Sequence, residues 1–263
     1  MATILLFDSG MGGLSVYREV YKALPGHRYL YLFDNACFPY GELSEQRLVS
    51  RVIELFDAFV SRHHVDIVVI ACNTASTYVL PALRQRLQIP VVGVVPAIKP
   101  AAEYSRVHGR GRLGVLATPG TVSRQYTAEL VRNFAADLDV SLLGTTELVK
   151  MAEDKLSGQA IDHQLLERVL APWLGSQQPD TVVLGCTHFP LLADELGCWL
   201  PHTKLVDSGA AIARRVGSLL PQAGADQTGA RAQVFCTEWT PKARLQAGAF
   251  GGEGFDELRC FIL

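Results

Sequence analysis

Two segments of the chain end in a cysteine after the same apolar step from an aspartate: Asp66-Ile-Val-Val-Ile-Ala-Cys72-Asn73-Thr74 and Asp180-Thr-Val-Val-Leu-Gly-Cys186-Thr187-His188. A thiolate is a strong nucleophile and a usable base, and it is favoured beside a cation or at a helix N-terminus. Cys72 and Cys186 each lie between an apolar run and the expected start of a helix, with hydroxyl, amide or imidazole side chains following. One cysteine in such a place reads as a small core residue. Two, equivalently placed, suit a particular chemistry. Inverting a stereocentre needs a base on one face of a carbon and an acid on the other, and two thiols exchange those roles with direction. A cysteine hydrolase instead needs one nucleophile, one histidine and an orienting group, which leaves the second thiol without a role.

Asp8, Asp34, Glu153 and His188 are the titratable residues near expected strand ends and helix starts that can tune the thiols. Each has a structural alternative: a helix cap for Asp8, a loop carboxylate for Asp34, a solvated helix face for Glu153, a satisfied helix-start histidine for His188. The run Asp8-Ser9-Gly10-Met11-Gly12-Gly13 lacks the G-x-G-x-x-G spacing of dinucleotide sites. Its backbone N–H groups are expected to cradle a small carboxylate at a positive helix end, with a plain glycine turn as the alternative. Cys37, Cys198, Cys236 and Cys260 have no such company and read as structural or incidental.

The elements that must position these residues are legible as alternation. Apolar runs at Thr3 to Phe7, Tyr29 to Phe33, Asp66 to Ala71, Val91 to Val95, Arg112 to Ala117, Thr181 to Gly185 and Lys204 to Val206 read as buried parallel strands. Helical periodicity falls at Leu14 to Leu24, Ser44 to His63, Ser76 to Leu87, Ser123 to Ala136, Glu147 to Leu156 and Asp162 to Leu174. This is the pattern of an α/β fold with right-handed crossovers. Gln222 to Gly229 reads as a surface loop before a last strand, Ala232 to Cys236. Besides the echoed cysteine segments, Ile4-Leu-Leu-Phe-Asp8-Ser9-Gly10 echoes Gly114-Val-Leu-Ala-Thr118-Pro119-Gly120. Two similar doubly wound lobes with mainly parallel sheets follow: residues 1–96 with 208–263 carry Asp8 and Cys72, and residues 97–207 carry Thr118 and Cys186. Each thiol then sits at the carboxyl end of a strand, where open α/β sheets form ligand crevices, and the site is expected in the cleft between the lobes.

Composition narrows the partners. The 263 residues carry 24 Lys and Arg against 26 Asp and Glu, a net charge of −2 without a basic run, so a nucleic-acid partner is not expected. No apolar stretch approaches the ~20 residues of a membrane helix, and the first residues lack a basic leader, so a cytoplasmic location with no membrane contact is expected. The six cysteines include no C-x-x-C pair, which argues against a zinc site or a disulfide framework.

Phe7-Asp8-Ser9-Gly10-Met11-Gly12-Gly13, Asp34 with Pro39-Tyr40-Gly41, Ala71-Cys72-Asn73-Thr74-Ala75, Thr118-Pro119-Gly120-Thr121 and Gly185-Cys186-Thr187-His188-Phe189-Pro190-Leu191 together resemble the glutamate racemases of the aspartate/glutamate racemase family. The blocks reach Asp207-Ser208-Gly209 and so span most of the chain. The resemblance implies cofactor-independent interconversion of L- and D-glutamate, with no pyridoxal phosphate and no metal, supplying D-glutamate for peptidoglycan. It implies Cys72 and Cys186 as the proton donor and acceptor, assisted by Asp8, His188 and Glu153, with Glu147 competing for the last place. Asp8, Ser9, Tyr40, Gly41, Asn73, Thr74, Thr118, Thr121, Thr187 and His188 match the substrate-binding positions. A homodimer is the oligomer the family suggests. The chain has no N-terminal extension like that of some activator-dependent members, which leans against activation. Two alternatives stay open: an aspartate or hydantoin racemase using the same thiols, and a non-catalytic relative that binds a DNA topoisomerase. Retention of both thiols with their neighbours speaks against the latter.

Overall fold

The computed structural model describes residues 1–220 and 232–263; the expected loop at 222–229 lies outside the described residues. The apolar runs form two parallel sheets. The first has six strands in the order β10-β9-β2-β1-β3-β4: β1 (Thr3–Asp8), β2 (Arg28–Phe33), β3 (Ile67–Ile70), β4 (Val91–Gly93), β9 (Gln233–Cys236) and β10 (Arg259–Cys260). The second runs β6-β5-β7-β8: β5 (Arg112–Ala117), β6 (Asp139–Gly144), β7 (Thr181–Leu184) and β8 (Lys204–Val206). The order β2-β1-β3-β4 recurs as β6-β5-β7-β8, so the echo in the sequence corresponds to an echo in topology.

Helices cover both faces of each sheet, which is why the strands are apolar throughout instead of alternating. They are α1 (Leu14–Ala23), α2 (Glu45–Arg62), α3 (Asn73–Arg86), α4 (Ile98–His108), α5 (Pro119–Val122), α6 (Gln125–Phe134), α7 (Glu147–Leu156), α8 (His163–Leu170), α9 (Ala193–Trp199), α10 (Gly209–Leu219) and α11 (Pro241–Gly252). Alternate residues of β1 serve opposite cores: Ile4 and Leu6 pack with α1, α10 and α11, whereas Leu5 and Phe7 pack with α2 and α3. The second sheet divides likewise, Leu116 facing α7 and α8 and Val115 facing α4. No helix among the described residues is long and apolar enough to cross a membrane.

Three expected elements shift. The helix expected over Ser123 to Ala136 is α6, trimmed at both ends to Gln125–Phe134, and the short α5 precedes it, entered through the Thr118 N-cap and Pro119. The one expected over Asp162 to Leu174 stops at Leu170 and continues as a 3-10 turn around Pro172, whose ring cannot donate to a helix ladder. The one expected from Ser76 begins at Asn73, so Cys72 itself occupies the N-cap position. β6, α4, α5, α9, α10, α11 and β10 lie outside the expected set.

Candidate active site

The carboxyl ends of β1, β3, β5 and β7 converge, and the site is built on the segments that leave them. Cys72 follows β3 after Ala71, at the head of α3, and Cys186 follows β7 after Gly185. Both thiols are nearly buried, 6% and 7% exposed, and both line one pocket. Ser9, Tyr40, Gly41, Asn73, Thr74, Thr118, Thr187 and His188 line it with them. Pro39, named in the sequence only as the neighbour of Tyr40-Gly41, also lines it, as do Thr146 and Val149, which stand in none of the blocks that carry the resemblance. The free space between the thiols is tight, about 20 Å³, room for roughly one water molecule. A larger cavity of about 430 Å³ lies where the chain crosses between the sheets, lined by Pro96, Phe134, Val206 and Arg214 among others, and it carries no thiol.

The thiols have unlike partners. Cys72 faces the Asp8 carboxyl, and burial first, then the Asp8 charge, push the Cys72 thiol well above its ordinary value, against a hydrogen bond from the Ala75 N–H. Burial also pushes Asp8 up to about 6, although the His188 charge and the N–H groups of Gly13 and Ser9 pull it back. Cys186 Sγ lies 3.7 Å from His188 Nδ1, and His188 Nε2 lies 2.7 Å from Glu153 Oε1. Burial alone would lower His188, but hydrogen bonds to Cys186 and Glu153 hold it well above the usual histidine range. A buried imidazolium thus bridges a carboxylate and the Cys186 sulfur, setting a positive charge beside that sulfur. After Cys186 the chain makes a 3-10 turn, Phe189–Leu192, and α9 begins only at Ala193, so this thiol leans on the imidazole and not on an α-helix terminus.

The glycine turn after β1 differs from its expected use. Its N–H groups meet carboxylates of the protein itself: Ser9 and Gly13 donate to Asp8, each at 2.7 Å, and Met11 donates to Glu153 Oε1 at 2.6 Å. The turn therefore cradles two side-chain carboxylates, which fix the partners of both thiols. Gly10 and Gly12 are required by close approach, since a Cβ on the first would lie inside the Glu153 carboxylate and on the second inside the His188 ring.

The remaining expected residues divide. Thr118 Oγ1 meets Thr121 Oγ1 at 2.9 Å and Thr74 Oγ1 at 3.4 Å, which places Thr121 behind the pocket wall. Asn73 is buried with no partner for its Nδ2 among the described residues, an unspent donor in the pocket wall. Asp34 does not reach the thiols; Arg51, Thr237 and the Tyr40 hydroxyl bind its carboxylate, so it holds Tyr40 in place. Glu153 is buried and Glu147 is exposed. One residue had no signal in the sequence: Gln246 on α11, whose Nε2 donates to Glu153 Oε2 at 2.6 Å.

A family model described as Asp/Glu/Hydantoin racemase matches residues 4–216. The chain is 52% identical to the glutamate racemase of Pectobacterium atrosepticum over 263 residues, covering 97% of this chain and 90% of that protein. It is 51% identical to an Escherichia coli glutamate racemase over 259 residues, with the same coverage. Its fold is similar to the crystal structure of E. coli glutamate racemase in complex with L-glutamate and the activator UDP-MurNAc-Ala, with a TM-score of 0.93, 49% identity and coverage of 99% and 98% of the two chains. It is also similar to glutamate racemase from Thermus thermophilus in complex with β-chloro-D-alanine, with a TM-score of 0.76, 30% identity and coverage of 100% and 97%. Paired thiols on repeated strand ends, a match over most of the chain and relatives at half identity lead to one conclusion: the chain belongs to the Asp/Glu/hydantoin racemase family.

Proposed function

We propose that this protein interconverts L- and D-glutamate by moving protons at the α-carbon, with Cys72 and Cys186 as the two acid–base groups. The observation that carries this is the pair of buried thiols lining one pocket, each beside its own proton-holding partner. In one direction the Cys186 thiolate removes the α-proton while the Cys72 thiol delivers one to the opposite face; in the other the roles exchange. The imidazole of His188 holds the charge of Cys186, and Asp8 accepts from the Cys72 thiol. The unspent Asn73 amide, with Ser9, Thr74, Thr118 and Thr187, supplies donors for the substrate carboxylates. Excluding water strengthens each of these contacts as negative charge develops at the α-carbon.

In this reading the lobes are residues 1–96 with 208–263 and residues 97–207, the site needs no cofactor, and the product feeds peptidoglycan in the cytoplasm. The test is a circular-dichroism assay of purified protein on glutamate, aspartate and a hydantoin, with no cofactor added and again after dialysis against a chelator. Glutamate is expected to racemise at the same rate in both preparations. Loss of activity on dialysis, or turnover confined to aspartate or the hydantoin, would overturn the reading.

A further inference from the structure

Glu153 stands at the end of the Cys186–His188 chain, and it is the member whose support comes from the other sheet. It belongs to α7, which follows β6 of the second sheet. Met11, in the turn after β1, donates to its Oε1, and Gln246, on α11, donates to its Oε2, each at 2.6 Å. α11 is part of the first sheet's layer, with Ala243 and Phe250 in the core that contains Tyr31 and Phe33. Gln246 is 4% exposed, and its Oε1 has no hydrogen-bond partner among the described residues. A buried amide that leaves half its capacity unused carries a real cost. The half it does use goes to the carboxylate that holds the His188 imidazolium. Lys242, on the same helix, pairs with Asp154 at 2.8 Å, so α11 and α7 meet at two successive points.

We propose that Gln246 is a positioning residue that, from the first sheet's layer, holds the Glu153 carboxylate of the second against His188 and so completes the Glu153–His188–Cys186 chain. This rests on the function proposed above. With Met11 on one oxygen and Gln246 on the other, the carboxylate is fixed at both ends while Oε1 faces His188 Nε2. The chain is complete without substrate, so the acid limb of kcat/KM, which reports the free protein, is sensitive to Gln246.

The test removes the donor and follows the acid limb of kcat/KM. Besides Glu153 on α7, the ionisable groups facing the Cys186–His188 pair are Asp8 at the end of β1 and Cys72 at the head of α3, with Tyr31 on β2 facing Glu153; none is altered. In Gln246→Met the carboxylate holds the imidazolium less firmly, so the acid limb is expected to move up by about one pH unit, an about tenfold loss at a fixed pH on that limb. Gln246→Glu, whose protonated carboxyl pressed against Glu153 still donates, is expected to leave the limb in place. If Gln246→Met does not fold, Gln246→Asn, one methylene too short to reach Glu153, takes its role with the same expected shift.

A second arm needs no substrate. In a Cys72→Ser background, the pH midpoint for alkylation of Cys186 by iodoacetamide is expected to rise with the Met or Asn variant and to hold with the Glu variant. Unsubstituted protein that racemises no glutamate would defeat the proposed function and leave this comparison standing. Midpoints and acid limbs unmoved in Gln246→Met, or moved equally in Gln246→Glu, would overturn the positioning role.

Discussion

The two thiols resemble each other in chain position and differ in what holds their charge. Cys72 answers to a carboxylate on β1, and Cys186 to an imidazole two residues along its own chain. Serine at either position is too weak a base to replace a thiolate, so Cys72→Ser and Cys186→Ser are each expected to lower racemisation by at least on the order of 10²-fold. Each variant keeps one thiol. By the roles the family resemblance implies, Cys186→Ser retains elimination from a β-substituted D-glutamate only, and Cys72→Ser from the L-form only. A nearly wild-type Cys72→Ser beside a Cys186→Ser dead towards both would mean one covalent nucleophile and would defeat the two-base reading.

Asp8 makes a separate, thermodynamic prediction. Its folded value of about 6 is above the ordinary 3.8, so the native state binds a proton that the unfolded chain has already released. Its contribution to stability is complete below pH 3.8 and is lost as pH rises through 6. The loss amounts to about 3 kcal/mol, an order-of-magnitude figure. Between pH 4 and pH 7, urea unfolding is expected to show Asp8→Asn gaining on the unsubstituted protein while racemisation falls. Stabilities that run parallel across that range would contradict the account of Asp8. His188, also raised, works in the favourable sense at neutral pH: its contribution is present below the ordinary 6.5 and fades as pH climbs through its higher folded value.

At the scale of elements, the turn between β1 and α1 has the strictest demand. A methyl group on Gly12 falls inside the His188 ring, and one on Gly10 falls inside the Glu153 carboxylate. Gly12→Ala is expected to cost on the order of 10²-fold in kcat/KM by moving the imidazole off Cys186. An alanine variant with full activity would show that the turn yields more readily than its packing implies.

The same elements explain what could be read from the sequence. β1, β2, β3, β5 and β7 are apolar along their length because helices cover both faces, and the two cysteines announced themselves through the repeat. β6 escaped notice as an edge strand, half-exposed and mixed in polarity over Asp139–Gly144. α11 escaped because Gly248, Gly251 and Gly252 give it no apolar stripe; its place depends on Phe250 stacking on Phe33 and packing edge-on to Tyr31. Gln246 rides on that helix, so nothing in its own neighbourhood linked it to Glu153 across 93 residues. The anion-cradling turn was read correctly as a cluster of donors and wrongly as a site for an outside carboxylate, because which carboxylate fills it is a tertiary fact.

At the scale of the molecule, two segments join the sheets, one leading from β4 into α4 and one from β8 into α10, and Ser208 donates to the Val95 carbonyl where they pass. A pocket with room for one water must open for glutamate to enter, and these two crossings are the only segments joining the sheets among the described residues. Solution scattering is expected to show a smaller radius of gyration with saturating glutamate than without it. Profiles that superimpose would place the motion in loops.

The unlike partners of the two thiols have a consequence for what any rate measurement can reveal. Mirror-image substrates have equal free energies, so the ratio of kcat/KM in the two directions is one at every pH, whatever the asymmetry of the protein. Asp8 on one side and His188 on the other cannot give the enzyme a preferred direction. They can only set how the free protein divides between a form charged at Cys72 and a form charged at Cys186. That division appears as matched changes in kcat and KM. Each catalytic cycle also leaves the protein in the form suited to the product it has just released, so the protein carries a short-lived record of the hand it last made, erased only when the thiols regain their resting protonation.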